Sequence, residues 1–367
     1  MPSFVHTADI HLDSAFSARL SPRKAELRRK EVMMTFQDIV KKAGEADFFF
    51  ISGDLFDSSF AYPETVSFLK RCFASIPNTH VFISAGNHDP LTSDSLYNNT
   101  DFGDNVHVFS GDGEFFDFPE LKTRIHGISF TKEHAEEPLL PTSEPAEGWC
   151  NILVVHGEVL APGAASAYNP IYSDYLEKSG MTYAALGHIH KYSGIKRAGG
   201  VYYAYPGIPE GRGFDEDGDR GYIRGRCDNG VVSAEWTVSC RRKLEHLNID
   251  LTGCNDGIEV FERIKSNIDD CGTDNIYKVN LCGRLNHSYL NYDLLSKQLE
   301  DCVFYAELSD NTEPEYDINR IAKEPGLKGE FVAAMLEKAE ELTEEEKRTA
   351  YLAIQLGIEA MKEGGAV

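Results

Sequence analysis

Residues 183–191 read YAALGHIHK. An apolar run stops at a glycine, and two histidines follow with one isoleucine between them. In an extended segment alternate side chains share a side, so His188 and His190 are expected to project together with Ile189 turned away. Such a pair can share a ligand. A strand end whose histidines meet solvent or a core hydrogen bond accounts for the same letters equally well, and the rest of the chain has to decide.

The same arrangement recurs. The run SFVHTA leads into Asp9-Ile10-His11, DFFFIS into Gly53-Asp54-Leu55-Phe56-Asp57, HVFISA into Gly86-Asn87-His88-Asp89, and NILVVH into Gly157-Glu158 from its own terminal His156. Helical stretches at 23–43 and 63–75 separate the early runs, which predicts βαβ units and a largely parallel sheet. Later runs (VYYAYP, GYIRGR, VSAEWTV) have hairpin-like spacing, so a mixed α/β domain follows. In open α/β sheets, residues far apart in sequence converge at the carboxyl ends of the strands. One D-x-H or one G-D-x-x-D is weak, since either can mark only a turn. Five such clusters in this order, each directly after an apolar run, point to one site.

The donors offered are Asp9, His11, Asp54, Asn87, His156, His188 and His190. They exceed the needs of one tetrahedral ion, and the absence of cysteine among them argues against a closed structural zinc site. Mixed oxygen and nitrogen donors suit Mn²⁺, Fe²⁺ or Zn²⁺. Two ions bridged by a carboxylate lie about 3.5–4 Å apart, a spacing that clamps a phosphoryl group and deprotonates a water at neutral pH. Asp54 is the natural bridge. If Asn87 binds metal, His88 beside it points elsewhere, most usefully toward substrate, where it stabilises phosphoryl charge or protonates the leaving oxygen. Asp57 is expected to orient it.

At 367 residues the chain exceeds one ordinary hydrophobic core. The texture predicts a catalytic domain over 1–240, a small βαβαβ domain over 241–324 and C-terminal helices over 325–367. With 59 acidic against 36 basic residues the net charge is −23, which disfavours holding a polyanion by a general field. The opening residues carry no pattern of a signal peptide, and no apolar run is long enough to span a membrane. Eight scattered cysteines without a C-x-x-C pair read as reduced thiols in a cytoplasmic protein. Thr343 and Glu346 have the spacing of a capping box. In the helix that follows, Tyr351, Ile354, Ile358 and Met361 are expected to form one stripe, with Leu352 and Leu356 nearly opposite.

The motifs D-x-H, G-D-x-x-D, G-N-H-D, H-G-E and G-H-x-H over residues 9–190 resemble the calcineurin-like metallophosphoesterase superfamily. Within it, HTADIHLDSAF and AYPGIPEGRGFDEDGDRGY are similar to the SbcD/YhaO-type DNA repair exonucleases, relatives of the eukaryotic double-strand-break repair nuclease. The resemblance implies two packed mixed β-sheets flanked by helices, a DNA-facing cap in the small domain, and C-terminal helices beside it. It implies one ion held by Asp9, His11, Asp54 and His190, a second held by Asp54, Asn87, His156 and His188, and Mn²⁺ as the usual metal. His88 would be the catalytic histidine. It also implies an SbcC-like coiled-coil ATPase as partner, DNA as substrate and a homodimer. Arg212 and Arg220, in the Gly-rich loop, are the local candidates for phosphate contacts, although a turn stabilised by Asp–Arg pairs explains them at least as well. Position 57 is not the tyrosine of purple acid phosphatases. Ser58 and Asp89 depart from the phosphoprotein phosphatases. A small-molecule or cyclic-nucleotide phosphodiesterase would keep all five clusters, and the extra domain after 240 argues for a larger substrate. A non-catalytic scaffold is disfavoured because every ligand position and His88 are filled.

Overall fold

The computed structural model describes residues 1–16, 20–58, 61–286, 289–340 and 342–363. They form two compact units, Met1–Leu244 and Glu245–Val367.

The first unit holds two six-stranded mixed sheets. One is built from β1 (Ser3–Thr7), β2 (Phe48–Ser52), β3 (His80–Ser84), β4 (Val106–Val108), β13 (Gly221–Asp228) and β14 (Val231–Val238), in the order β14-β13-β1-β2-β3-β4. The other is built from β5 (Glu114–Phe118), β6 (Thr123–Gly127), β7 (Cys150–His156), β10 (Tyr183–Gly187), β11 (Lys196–Ala198) and β12 (Val201–Ala204), in the order β11-β12-β10-β7-β6-β5. A parallel pair, β8 (Glu158–Leu160) and β9 (Pro170–Tyr172), stands apart from both. In the first sheet β1 to β4 are parallel. In the second, β6, β7, β10 and β12 are parallel.

Alternation along each strand sorts the side chains into layers. Phe49, Ile51, Val81 and Ile83 pack with Phe36, Ile39, Leu69 and Phe73 of α1 (Pro22–Ala43) and α2 (Pro63–Ala74). Their neighbours Phe48, Phe50 and Phe82 face the other way, onto Ile152, Val154, Tyr183 and Ala185 of the second sheet. Leu153, Val155, Ala184 and Leu186 point outward to Ile171, Met181 and Leu176 of α4 (Ser173–Lys178). A short α3 (Leu96–Asn99) follows the third cluster. The core is thus sheet on sheet with helices on the outer faces. Each fully buried Phe contributes about 1.5–3 kcal/mol, and FFFIS (48–52) is buried at every position. That burial on both faces is why the run reads as continuously apolar instead of alternating.

The second unit carries a three-stranded sheet formed by β15 (Leu244–Asp250), β16 (Ile276–Cys282) and β18 (Tyr305–Asp310), in that order. A short β17 (Arg284–Leu285) pairs with β19 (Glu313–Pro314). Val260, Ile264 and Ile268 of α5 (Gly257–Cys271) and Leu295 and Leu299 of α6 (Tyr292–Glu300) close the core of this unit. Helix α5 starts on Asp256, whose carboxylate accepts from the amides of Ile258 and Glu259. Three further helices follow, α7 (Ile318–Ile321), α8 (Leu327–Glu340) and α9 (Glu344–Glu363). The segments 241–324 and 325–367 fall almost wholly in this one unit. Before α9 the Glu346 carboxylate accepts from the Thr343 amide at 2.9 Å and its hydroxyl at 2.6 Å. Ile354 and Ile358 are buried against Ile321 and Val332. Tyr351, expected on the same stripe, is exposed together with Leu352 and Leu356. Among the described residues, no helix is long and apolar enough to cross a membrane.

At Gly187 the two sheets approach closely. A Cβ there would lie 1.8 Å from the Ser52 carbonyl oxygen and 2.9 Å from the Ala8 Cβ. Gly187→Ala should therefore lower stability by about 1–3 kcal/mol through overpacking. A urea midpoint shifted at constant slope reads this, and an unshifted midpoint contradicts the close approach.

Candidate metal centre

Strands β1, β2 and β3 from one sheet and β7 and β10 from the other release the five polar clusters at their carboxyl ends. The loops after β1 and β2 are zipped together by main-chain hydrogen bonds: Asp9 N to Gly53 O (3.0 Å), His11 N to Asp54 O (3.0 Å), Leu12 N to Leu55 O (2.9 Å) and Asp57 N to Leu12 O (3.0 Å). Within this zip the backbone leaves the strand conformation. Asp9, His11 and Asp54 take φ of +54°, +48° and +51°, and His188 takes +107°. Neither D-x-H nor H-x-H is therefore the extended pair expected from alternation; left-handed residues, each costing about 1–3 kcal/mol, aim these side chains.

Two carboxylates tie the clusters together. Asp9 accepts from the His188 amide with both oxygens, at 3.0 and 3.1 Å. Asp54 accepts from the His88 amide through Oδ1 at 2.9 Å. Its Oδ2 lies 3.8 Å from His11 Nε2 and 3.5 Å from His156 Nε2, one histidine from each sheet. Asp89, in the turn of Asn87 and His88, accepts from the amides of Gly86 (2.7 Å) and Phe56 (3.1 Å) and from the Tyr97 hydroxyl (2.6 Å), which pins that turn to the neighbouring loop.

The imidazoles are held from behind. His156 Nδ1 donates to the Ser52 carbonyl at 2.9 Å, which leaves Nε2 as the lone-pair nitrogen, 3.0 Å from Asn87 Oδ1. His190 Nδ1 lies 2.6 Å from Glu216 Oε1, and its Nε2 lies 3.9 Å from Asp9 Oδ1. His188 sets its ring 5.3 Å from that of His156 and 5.0 Å from that of Tyr168. Donor atoms within 4.8 Å of one another come from Asp9, His11 and His190, from Asp9, Asp54 and His156, and from His11, Asp57 and His88. The imidazole of His188 stands outside these three groups. Space is fitted to the same end: a Cβ on Gly86 would meet Asp54 Oδ1 at 2.1 Å, and one on Gly53 would meet the His156 ring at 2.2 Å. Buried imidazole nitrogens and carboxylate oxygens converging within 4.8 Å of one another fit a divalent ion.

Other expected residues sit differently. His88 is exposed, and its Nδ1 lies 3.3 Å from the main-chain carbonyl of Asp57. The Asp57 carboxylate does not orient it; that carboxylate lies 3.0 Å from His11 Nδ1 and accepts from Arg212 Nη1 at 2.6 Å. Arg220 is buried and donates to the carbonyls of Glu216 (3.1 Å), His190 (3.0 Å) and Asp217 (2.5 Å), so it fastens a turn. Glu216 is the residue the sequence concealed, because it stands among Asp215, Asp217 and Asp219 with nothing in the letters to single it out.

Burial dominates the electrostatics. It lowers His11, His156 and His188 to about 4, so these imidazoles are neutral and ready to ligate at pH 7. It raises Asp9 to about 8, with His190 opposing and the nearby Asp54 charge adding. Burial also pushes Glu216 up, but the hydrogen bond from His190 and the charge of Arg212 outweigh it and hold Glu216 at about 2. His190 moves up despite burial, through the hydrogen bond to Glu216. A cation entering beside Asp9 therefore competes with its proton, the more so as pH falls below about 8. Mn²⁺ affinity should rise with pH up to that point and then level. Calorimetry in buffers of different ionisation enthalpy should register proton release near pH 7, and a flat profile without release contradicts the assignment.

Residues 2–192, just over half of the chain, match the family model described as calcineurin-like phosphoesterase. The chain is 29% identical over 276 residues to a Bacillus subtilis (strain 168) protein named uncharacterized metallophosphoesterase YhaO, a match covering 72% of this chain and 66% of that one. It is 30% identical over 239 residues to the DNA double-strand break repair protein Mre11 of Archaeoglobus fulgidus, covering 56% of this chain and 50% of the relative. The chain thus spans between half and two thirds of the length of these relatives. Among solved structures, TT1561 of Thermus thermophilus aligns with a TM-score of 0.40 at 11% identity over 64% of this chain and 98% of that one, too low for any inference. With the family model running through all five strand-end clusters, the chain belongs to the calcineurin-like phosphoesterases.

Proposed function

We propose that the chain is a dimetal phosphodiesterase that hydrolyses DNA, an exonuclease of the SbcD type. The observation that carries the reading is Asp54 Oδ2 lying between His11 and His156, with exposed His88 beside them. In this proposal Asp9, His11, Asp54 and His190 hold one ion, and Asp54, Asn87, His156 and His188 the other. Two such ions, Mn²⁺ in this reading, would when bound activate a water at neutral pH and offset charge on the phosphoryl oxygens.

The chain's own residues do the rest. An open pocket of about 460 Å³, lined by Asp57, Ser58, Asn87, His88, Glu133, His134 and Tyr168, gives a phosphodiester access from the His88 side. His88, held at its amide by Asp54 and at Nδ1 by the Asp57 carbonyl, lines that pocket, where its imidazole can stabilise phosphoryl charge or hand a proton to the departing oxygen. The DNA part of the reading leans on the Archaeoglobus relative, whose name states a role in DNA double-strand break repair. With a net charge of −23, positive charge for a polyanion has to come from a local group or from a partner, and this reading takes the partner. An SbcC-like coiled-coil ATPase would supply it, and the exposed Leu352 and Leu356 of α9 (53% and 56% exposed) are the proposed contact.

Purified protein with Mn²⁺ should shorten end-labelled DNA, and His88→Ala should lose about 10²–10⁴-fold in rate. Intact DNA beside cleaved bis-p-nitrophenyl phosphate would instead favour a small-molecule phosphodiesterase. Hydrolysis of neither would remove the catalytic reading. Leu352→Asp combined with Leu356→Asp should abolish co-purification with the ATPase while leaving Mn²⁺ binding unchanged. Retained co-purification contradicts that contact.

A further inference from the structure

His11 and His190 meet nitrogen to nitrogen, with their Nε2 atoms 3.2 Å apart. The far nitrogen of each faces a carboxylate: His11 Nδ1 lies 3.0 Å from Asp57 Oδ1, and His190 Nδ1 lies 2.6 Å from Glu216 Oε1. These two carboxylates come from distant loops, one after β2 and one between β12 and β13. Arg212 joins them. Its Nη1 donates to Asp57 Oδ1 at 2.6 Å, its Nη2 lies 3.6 Å from Glu216 Oε1, and its amide donates to Glu216 Oε2 at 2.6 Å. A closed ring results, running His11, Asp57, Arg212, Glu216, His190 and back.

We infer that Arg212 is a positioning residue that sets both imidazoles of one ion site at once. The inference rests on the reading that this site holds divalent cations. A neutral imidazole carries one N–H; the hydrogen bond to Glu216 keeps that of His190 on Nδ1, and the Asp57 carboxylate 3.0 Å from His11 Nδ1 favours the proton there through its charge. Both Nε2 lone pairs are then turned toward the same point. At 3.2 Å the two Nε2 atoms share a hydrogen bond while one of them keeps a proton, and once both protons sit on Nδ1 the two lone pairs face one point, an arrangement that a cation lying against both stabilises. The ring must therefore be held from outside. A guanidinium suits that task because its charge keeps Asp57 and Glu216 ionised side by side, and its rigid fork fixes their directions, which a lysine's point charge does not.

Direct contact with substrate phosphate is the rival role for this arginine, and the geometry argues against it. Nη1 also reaches Ser14 Oγ at 3.4 Å, and the side chain is only 23% exposed. The loop bearing Arg212 is itself moored deep in the molecule. Arg28 of α1, fully buried, donates through Nη2 to Glu210 Oε2 at 2.8 Å and to the Gly211 carbonyl at 3.1 Å. Glu210 also accepts from the Thr35 hydroxyl at 2.7 Å. The position of Arg212 is thus inherited from α1 and does not depend on a bound substrate.

The test compares full-length wild type, Arg212→Met and Arg212→Lys. Mn²⁺ alone is titrated by calorimetry, and kcat and KM for bis-p-nitrophenyl phosphate are measured at saturating Mn²⁺. Arg212→Met should bind Mn²⁺ about 10–100-fold more weakly, the range for removing an outer-shell partner of a metal site. Its kcat should fall while KM stays within about twofold, and Arg212→Lys should recover only part of the affinity. If Arg212→Met does not fold, Arg212→Lys carries the test with the same readouts. Unchanged Mn²⁺ affinity with a raised KM would make Arg212 a phosphate contact and overturn the inference. Unchanged affinity and unchanged kinetics would overturn it as well. A wild-type chain that takes up no Mn²⁺ would remove the metal reading itself, and this inference with it, which is a different result from either.

Discussion

One carboxylate, Asp54, is the constraint around which the first unit is arranged. Oδ1 takes the His88 amide at 2.9 Å, and Oδ2 stands between His11 of one sheet's loops and His156 of the other sheet. Nothing larger than hydrogen is tolerated at Gly86, since a Cβ would fall 2.1 Å from Oδ1. Two six-stranded sheets packed face to face are what bring His11 and His156 to the same carboxylate. The phenylalanines 4, 48, 50 and 82 fill the space between those sheets, and shrinking any of them would move the ligands as well as the core.

The site is expensive to build. Asp9, His11, Asp54 and His188 are left-handed non-glycine residues, and Asp9 and Asp54 are buried carboxylates, close enough for the Asp54 charge to raise the protonation of Asp9. Such strain persists only where the surroundings over-determine it. Here the surroundings are the four-bond zip between residues 9–12 and 53–57, the Asp89 tether, and the moored loop of Arg212 and Glu216. A cation would offset much of the carboxylate repulsion, so the fold and the chemistry are solutions to one electrostatic problem.

Much of this can be read from the letters, for identifiable reasons. Buried parallel strands announce themselves as apolar runs, so β1, β2, β3, β7 and β10 are readable, and helix α1 falls at Pro22–Ala43 against an expected 23–43. Strands β8, β9 and β11 are not readable, being three residues each, and the edge strand β5, EFFDF, carries acids that mask its alternation. The donor clusters are visible because each follows a strand directly. The local geometry is hidden, since period-2 alternation stops where the strand stops and the chain turns left-handed at His188. Partners from distant sequence are hidden too. Only the folded loop tells Glu216, at His190, from the adjacent acids, or assigns Arg220 to main-chain carbonyls and Arg212 to two carboxylates. The match to the calcineurin-like phosphoesterases fixes the family.

The central claim is that a pair of ions shares Asp54. Anomalous diffraction from Mn²⁺-soaked crystals tests it most directly. The account predicts two peaks about 3.5–4 Å apart, both within bonding distance of the Asp54 carboxylate and one of them touching His156. A single peak, or peaks that leave Asp54 without a metal bond, would contradict it.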